Sequence, residues 1–334
     1  MTGAPSASRT RPAVLAAPES PPARTPGRWW LIGGVPVIIL VGIALLFEST
    51  GADLRGSAPF ADPVHGFPLK DDWFFADWLH EGGRKVLTTA VILTTLAGVA
   101  AGCSRRWRGW CVPLLYLGIC VGLGSLATGI LKATTNRYSP WSITAFGGQV
   151  PWTTLFAGTP APFHDGRSFP AGHAAPAFAL VALAHLGWAL GARRWWWWAL
   201  PGLLLGALFG WTQQVRGAHF LSHNLWSLAI AWAIATGLAW LATRCGAWGL
   251  GSDPAVRAAI ARRLAVLIPA LSALALGLLL LASAYAGLLL IAGERLPKLA
   301  VGGALIVLGP GAGLACGWWA ARLRQRAAPR SSAG

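Results

Sequence analysis

The sequence predicts an all-α polytopic membrane protein, and its composition and charge spacing support this. Of its 334 residues, 55% are hydrophobic and only 11% are charged, whereas soluble globular proteins carry about 25% charged residues. The charges are clustered, which leaves eight charge-free runs near the length of about 20 residues that a membrane-spanning helix needs. This pattern argues against a soluble enzyme. The predicted spans are 29–47, 86–104, 109–131, 168–192, 195–215, 217–243, 264–293 and 299–321.

The segments outside these spans have different compositions. A ninth charge-free run, 138–164, contains scattered Pro, Gly and polar residues, and such a segment cannot form a lipid-exposed helix because its free backbone groups would lack hydrogen-bond partners. The Pro-rich start of the chain is expected to be disordered. The expected organisation is a tail at 1–28, a six-span core at 29–243, a linker at 244–263, a two-helix extension at 264–321 and a basic tail at 322–334.

The basic residues predict the orientation of the spans. If residues 1–28 are cytoplasmic, 17 of the 27 Lys and Arg residues fall on the cytoplasmic side and 10 on the other. The positive-inside rule then places both termini in the cytoplasm of a multi-pass protein of the plasma (inner) membrane. The net charge of +16 is explained by topology, so we expect no nucleic-acid partner.

Histidines are concentrated on the predicted outer side. Mid-span His185 is the exception, and we expect it to form a hydrogen bond within the helix bundle. The acidic outer loop 48–85 either caps a site or is a solvated loop with an interfacial helix near 70–82, and we favour the second. The five cysteines show no disulfide or zinc spacing. The outer histidines are His65, His80, His164, His173, His219 and His223.

Three outer segments combine cations with imidazoles and predict an anion site. Pro170–His173 precedes an apolar run, and a helix N-terminus there would offer free amides to a phosphate. If the third segment is helical, Arg216, His219 and His223 share one face. A metal is the weaker alternative for this histidine pair, because the acidic residues show no ligand spacing. The segments are 132–141, 167–173 and 213–224.

Two imidazoles with several cations predict phosphoryl transfer through a phosphohistidine. One histidine would attack phosphorus, and the other would protonate the leaving oxygen. Fixed cations would stabilise the charge of the transition state. We expect no metal and no cofactor in this chemistry.

The three segments resemble the PAP2 superfamily, which includes the type 2 phosphatidic acid phosphatases and the vanadium haloperoxidases. Its signature is K-x6-R-P, P-S-G-H and S-R-x5-H-x3-D on a six-helix core, and the resemblance covers roughly 86–243. Lys132 and Pro140 match the first motif, with Ser139 at the Arg position and Arg137 two residues earlier as a substitute. Pro170, Gly172 and His173 match the second motif, in which Ala171 replaces Ser.

The third motif fits in two registers. In the favoured register His219 is the nucleophile, His223 takes the place of the orienting Asp, and Gln213 occupies the Arg position. In the other register His223 is the nucleophile, Arg216 is one residue out of phase and Ser227 replaces Asp.

The resemblance implies a metal-independent phosphatase that acts on a lipid phosphate or lipid pyrophosphate at the outer face. A lipid phosphotransferase and a non-catalytic lipid-phosphate binding or transport protein are the alternatives. The oligomeric state is not readable from the sequence. The implied catalytic residues are His219, His173 and His223, and the implied phosphate-binding residues are Lys132, Arg137, Arg216, Gly172 and Arg167.

Overall fold

Helices joined by turns and one long irregular segment make up residues 29–62, 64–249 and 253–292, which this computed structural model describes; no strand occurs among them. The long irregular segment, 135–174, contains turns, isolated bridges and two single-turn 3-10 helices, Pro140–Ser142 and Thr144–Phe146, as its breaker residues predict. The helices are α1 Trp30–Ser49, α2 Ala52–Ser57, α3 Phe74–Gly102, α4 Arg108–Thr134, α5 Ala175–Ala189, α6 Leu200–Val215, α7 Leu221–Arg244 and α8 Pro254–Ala292.

Five of these helices, α1, α3, α4, α7 and α8, are long and apolar enough to cross a membrane. Two begin earlier than predicted. Helix α3 starts at Phe74, so the interfacial helix expected near 70–82 is continuous with the span. Helix α8 starts at Pro254, inside the predicted linker. The predicted span 299–321, the tail 1–28 and the tail 322–334 lie outside the described residues.

Helix α7 lies at the centre of the bundle and contacts α1, α4, α5 and α6. Alanines line its buried positions, among them Ala231, Ala235 and Ala239, because small side chains let neighbouring helix backbones approach closely in a membrane. Helix α3 packs on α4, and α8 packs on α6.

Large aliphatic side chains cover the outside of the bundle. Ile39, Leu96, Ile130 and Leu280 are all more than half exposed. Exposure on this scale would be unfavourable in water, because apolar surface is stabilised by removal from it. This surface and the five apolar helices indicate a membrane protein.

Contacts between distant segments define one end of the bundle, which we call the site end. The Glu48 carboxylate accepts the Leu155 amide at 2.8 Å, and Gln214 donates to the Gly56 carbonyl at 3.0 Å. Away from this end, His185 Nε2 lies 2.8 Å from Thr236 Oγ1. That contact confirms the expected role of His185 as a hydrogen-bonded histidine of the bundle.

Candidate active site

A tight turn before α7 positions His219. Gly217 has φ +75°, and a Cβ built there would lie 2.4 Å from the Phe67 ring, so only glycine fits. The next two amides, of Ala218 and His219, donate to the Gln213 carbonyl at 2.8 and 3.4 Å. The expectation that Arg216, His219 and His223 share one helical face was wrong. His219 precedes α7, which begins at Leu221 and contains His223.

His219 and His223 are nevertheless close together and buried. Their exposed fractions are 4% and 2%, and their ring centroids lie 5.8 Å apart. Burial, assisted by the nearby charge of Lys132, holds the pKa of His219 well below its ordinary value. The His219 imidazole is therefore neutral at neutral pH and has a nitrogen lone pair available.

A serine links the two imidazoles. Ser168 Oγ lies 3.2 Å from Nδ1 of His219 and 3.5 Å from Nδ1 of His223, and it donates to the Ala218 carbonyl at 2.8 Å. Ser168 stands next to Arg167 and two residues before Pro170, and the sequence analysis gave it no role. Ser168 contacts two histidines that are more than 50 positions away in sequence. Local motif spacing therefore could not predict this role.

Lys132 and Gly172 bring the first two motifs together. A Cβ built on Gly172 would lie 3.5 Å from the Lys132 Nζ and 3.2 Å from its Cδ, so the lysine lies along the glycine backbone. Within the described residues, no carboxylate lies within 4.0 Å of the Lys132 ammonium. Its charge acts electrostatically on the imidazoles of His80, His173, His219 and His223. Among the described residues, Lys132 is thus a cation that has no carboxylate partner and whose charge acts on four histidine rings.

His173 precedes α5 by two residues and packs against an unexpected partner, His80 of α3. The two ring centroids lie 3.8 Å apart at 40°, and His80 Nδ1 lies 3.5 Å from a Glu81 carboxylate oxygen. Burial, with the charges of His80 and Lys132, lowers the pKa of His173 to about 3. Sequence reasoning placed His80 on the outer side but gave it no role, because 93 residues separate it from His173.

Two of the three arginines predicted to bind phosphate, Arg137 and Arg216, donate hydrogen bonds to other protein groups. Arg137 is buried and donates to the Thr153 hydroxyl at 2.6 Å, to the Thr154 carbonyl at 2.7 Å and also to the Thr153 carbonyl. Arg216 donates from Nε to the Lys70 carbonyl at 2.7 Å and from Nη1 to Gln213 Oε1 at 3.3 Å. Arg167 has an exposed side chain. The hydrogen bonds of Arg137 and Arg216 hold the segments that contain Thr153, Thr154 and Lys70 at the site end.

The acidic loop 48–85 packs on the site, contrary to the solvated loop that we favoured. Asp53 is 2% exposed, and its carboxylate accepts the Ser222 amide in the first turn of α7 at 3.0 Å. Burial raises the pKa of Asp53 to about 6. Such a carboxylate stabilises a helix N-terminus, so this loop helps to position His223.

The remaining features of the site are the amide of Gln213 and the alternative of a metal site. Gln213, at the position where the resemblance expects Arg, is 2% exposed, and its Nε2 has no hydrogen-bond partner within the described part of the chain. Over the same residues, no group of three or more His, Cys, Asp or Glu side chains could hold a metal ion.

Comparison with known proteins identifies one family. Residues 113–247 match the family model described as PAP2 superfamily. This segment contains Lys132, His173, His219 and His223, but it excludes His80 and Asp53. The comparisons found no significant match among curated proteins or among solved structures.

Proposed function

The chain belongs to the PAP2 superfamily through residues 113–247, and from this premise we propose that it hydrolyses a lipid phosphate or lipid pyrophosphate through a phosphohistidine. The family consists generally of phosphatases, and the apolar helices identify a membrane protein. The observation that carries the proposal is the Lys132 ammonium, which lies along Gly172 and acts on the surrounding imidazoles.

Lys132 and the Gly172 backbone form the phosphate-binding part of the proposed site. An ammonium that lacks a carboxylate partner is available to a phosphate oxygen, and hydrogen bonds between charged groups are stronger than neutral ones. The buried amide of Gln213 is a further donor without a partner among the described residues. A phosphate held by Lys132 would supply the negative charge that favours a protonated His173.

In the proposed reaction, His219 is the nucleophile and His173 transfers the proton. The neutral His219 forms an N–P bond as the bond between phosphorus and the lipid oxygen breaks, and His173 gives its proton to the departing oxygen. Water then cleaves the N–P bond and releases phosphate, with His173 accepting the proton of that water. Lys132 stabilises the charge on the phosphoryl oxygens in both steps.

A lipid substrate accords with the position of the site. The site lies at one end of a bundle whose outside is covered by Ile and Leu side chains, so a lipid can keep its chains in the membrane while its phosphate reaches Lys132. The excess of Lys and Arg predicted on the opposite side supports a position of this end at the outer face of the plasma membrane.

Phosphate release tests the enzyme proposal. The purified protein is given a panel of lipid phosphates in the presence of EDTA, and His219→Ala is compared with His164→Ala, which alters an exposed histidine. We expect release by the wild type and by His164→Ala, with loss in His219→Ala. If the wild type binds these lipids and releases no phosphate from any of them, the proposal is wrong.

Thiol labelling tests the orientation. The native Cys103 and Cys245 are exposed and lie at helix ends away from the site, and Phe156 of the site-end loop is 80% exposed. A membrane-impermeant maleimide on intact cells should label Phe156→Cys and leave the wild type unlabelled until the cells are permeabilised. The reverse pattern would place the site on the cytoplasmic side.

A further inference from the structure

Ser168 has a buried hydroxyl with three polar neighbours and a single proton. The residue is 3% exposed. Its oxygen lies 2.8 Å from the Ala218 carbonyl oxygen, 3.2 Å from His219 Nδ1 and 3.5 Å from His223 Nδ1. A serine hydroxyl donates one hydrogen bond and accepts two, so these three neighbours can satisfy it completely.

The hydroxyl proton goes to the Ala218 carbonyl. A carbonyl oxygen can only accept, and this contact is the shortest of the three and typical of an O–H donor. The Ser168 oxygen then has only lone pairs to offer the two rings, so each ring must present an N–H at Nδ1. In a neutral imidazole only one nitrogen carries a proton, and Nε2 is therefore the nitrogen with the free lone pair.

From this arrangement we infer that Ser168 is the positioning residue that fixes His219 as its Nδ1–H tautomer and directs the lone pair of Nε2 toward phosphorus. The inference deepens the proposed function and depends on it for its catalytic meaning. In the PAP2 signature an aspartate orients the nucleophilic histidine, and here His223 occupies that place. The Nδ1 atoms of His219 and His223 face the same Ser168 oxygen, so His223 does not itself accept the His219 N–H. Ser168 therefore supplies the acceptor that the aspartate supplies in the signature.

The buried setting makes this acceptor important. Asp53, in the acidic loop 48–85, accepts the Ser222 amide instead. When His219 takes the phosphoryl group on Nε2, the ring becomes cationic, and the Nδ1–H bond to Ser168 strengthens. Without the hydroxyl, the Nδ1–H tautomer loses this acceptor, and the population of the other tautomer, which has its lone pair on the wrong nitrogen, increases.

Ring nitrogen resonances test the tautomer without any need for activity. The full chain is labelled with ¹⁵N-histidine and studied in detergent near neutral pH, and the His219 signals are assigned through His219→Gln. We expect a pyrrole-type Nδ1 and a pyridine-type Nε2 in the wild type. Ser168→Ala should give averaged signals from two tautomers, whereas Ser168→Thr should retain the wild-type pattern. A pyridine-type Nδ1 in the wild type would overturn the inference.

Serine variants connect the tautomer to the reaction. Ser227→Ala is the matched control, because Ser227 is also fully buried but donates only to the carbonyls of Ala171 and His223. We expect Ser168→Ala to lower kcat about tenfold, the scale of one hydrogen bond lost in the transition state, and Ser168→Thr to recover most of it. Ser227→Ala should change kcat less than Ser168→Ala does.

The phosphoenzyme isomer provides a second readout. Phosphate trapped on His219 by rapid quench should be attached at Nε2, and attachment at Nδ1 would contradict the inference even in an active enzyme. Absence of phosphate release by the wild type would refute the proposed function instead, and the nitrogen resonances would still decide whether Ser168 fixes the tautomer.

Discussion

Replacing Gly172 by alanine should weaken phosphate binding without unfolding the protein. The new Cβ would lie 3.2 Å from Cδ and 3.5 Å from Nζ of Lys132. The first distance is shorter than ordinary van der Waals contact, so the lysine side chain must move by a few tenths of an ångström. The movement is feasible because only a flexible side chain is in the way, and it carries the ammonium away from the Gly172 backbone.

The size of the effect follows from Coulomb's law. If the ammonium retreats from about 2.8 Å to about 3.3 Å from a phosphate oxygen, the attraction at an effective dielectric constant near 20 falls by about 0.9 kcal/mol. That loss corresponds to about a fivefold decrease in kcat/KM.

The assay is phosphate release from a lipid phosphate in detergent micelles, over a range of substrate concentrations. Gly124→Ala is the control, because its Cβ would lie 3.7 Å from the Ala179 Cβ, an ordinary contact. An unchanged kcat/KM in Gly172→Ala would refute the reasoning, and so would an equal loss in Gly124→Ala.

Three further predictions concern Lys132, His80 and Asp53. Lys132→Met keeps most of the stem and removes the charge, so kcat/KM should fall about 10- to 100-fold, as expected for a charged hydrogen bond; a loss below threefold would argue against its contact with phosphate. His80→Ala removes the ring that packs on His173 and should lower kcat about fivefold, the scale of a ring pair, whereas His80→Phe should retain most of the activity; equal losses would contradict a packing role. The raised pKa of Asp53, about 6, means that the folded state holds this proton more tightly than the unfolded state, so the contribution of this group to stability falls as pH rises from about 4 to about 6. The melting temperature of Asp53→Asn, measured in detergent, should therefore rise relative to that of the wild type as the pH increases across that window. A difference in melting temperature that stays constant with pH would contradict a raised pKa of Asp53.

Local patterns in the sequence predicted most of the helices. The apolar runs located α1, α4 and α7 to within a few residues, because charges and breakers are costly inside a membrane. The run 168–192 was less informative, since its first residues form the site and only Ala175–Ala189 is helical. The shared face expected for Arg216, His219 and His223 failed because Gly217 adopts a left-handed conformation and ends the helical path.

The motif spacing predicts which residues carry the chemistry, but it does not predict the residues that contact them. Lys132 lies along Gly172, the residue before His173, as the motifs imply. His80 and Ser168 were not predicted, because their contacts join segments that are far apart in sequence. Arg137 was expected to bind phosphate, and its contacts with Thr153 and Thr154 depend on the path of an irregular loop. Such contacts have no periodicity by which they could be recognised.

The hydrogen bond between Asp53 and the Ser222 amide has a consequence for biosynthesis. It joins residues that are 169 positions apart, so the carboxylate is synthesised long before its partner. Contacts of such long range form late in folding. Through most of translation Asp53 therefore lacks this hydrogen-bond partner, and the site end of the bundle can close only after the N-terminus of α7 has left the ribosome. Assembly of this site is thus delayed until the central helix is inserted, and a chain that ends after α6 contains Lys132 and His173 but lacks His219 and His223.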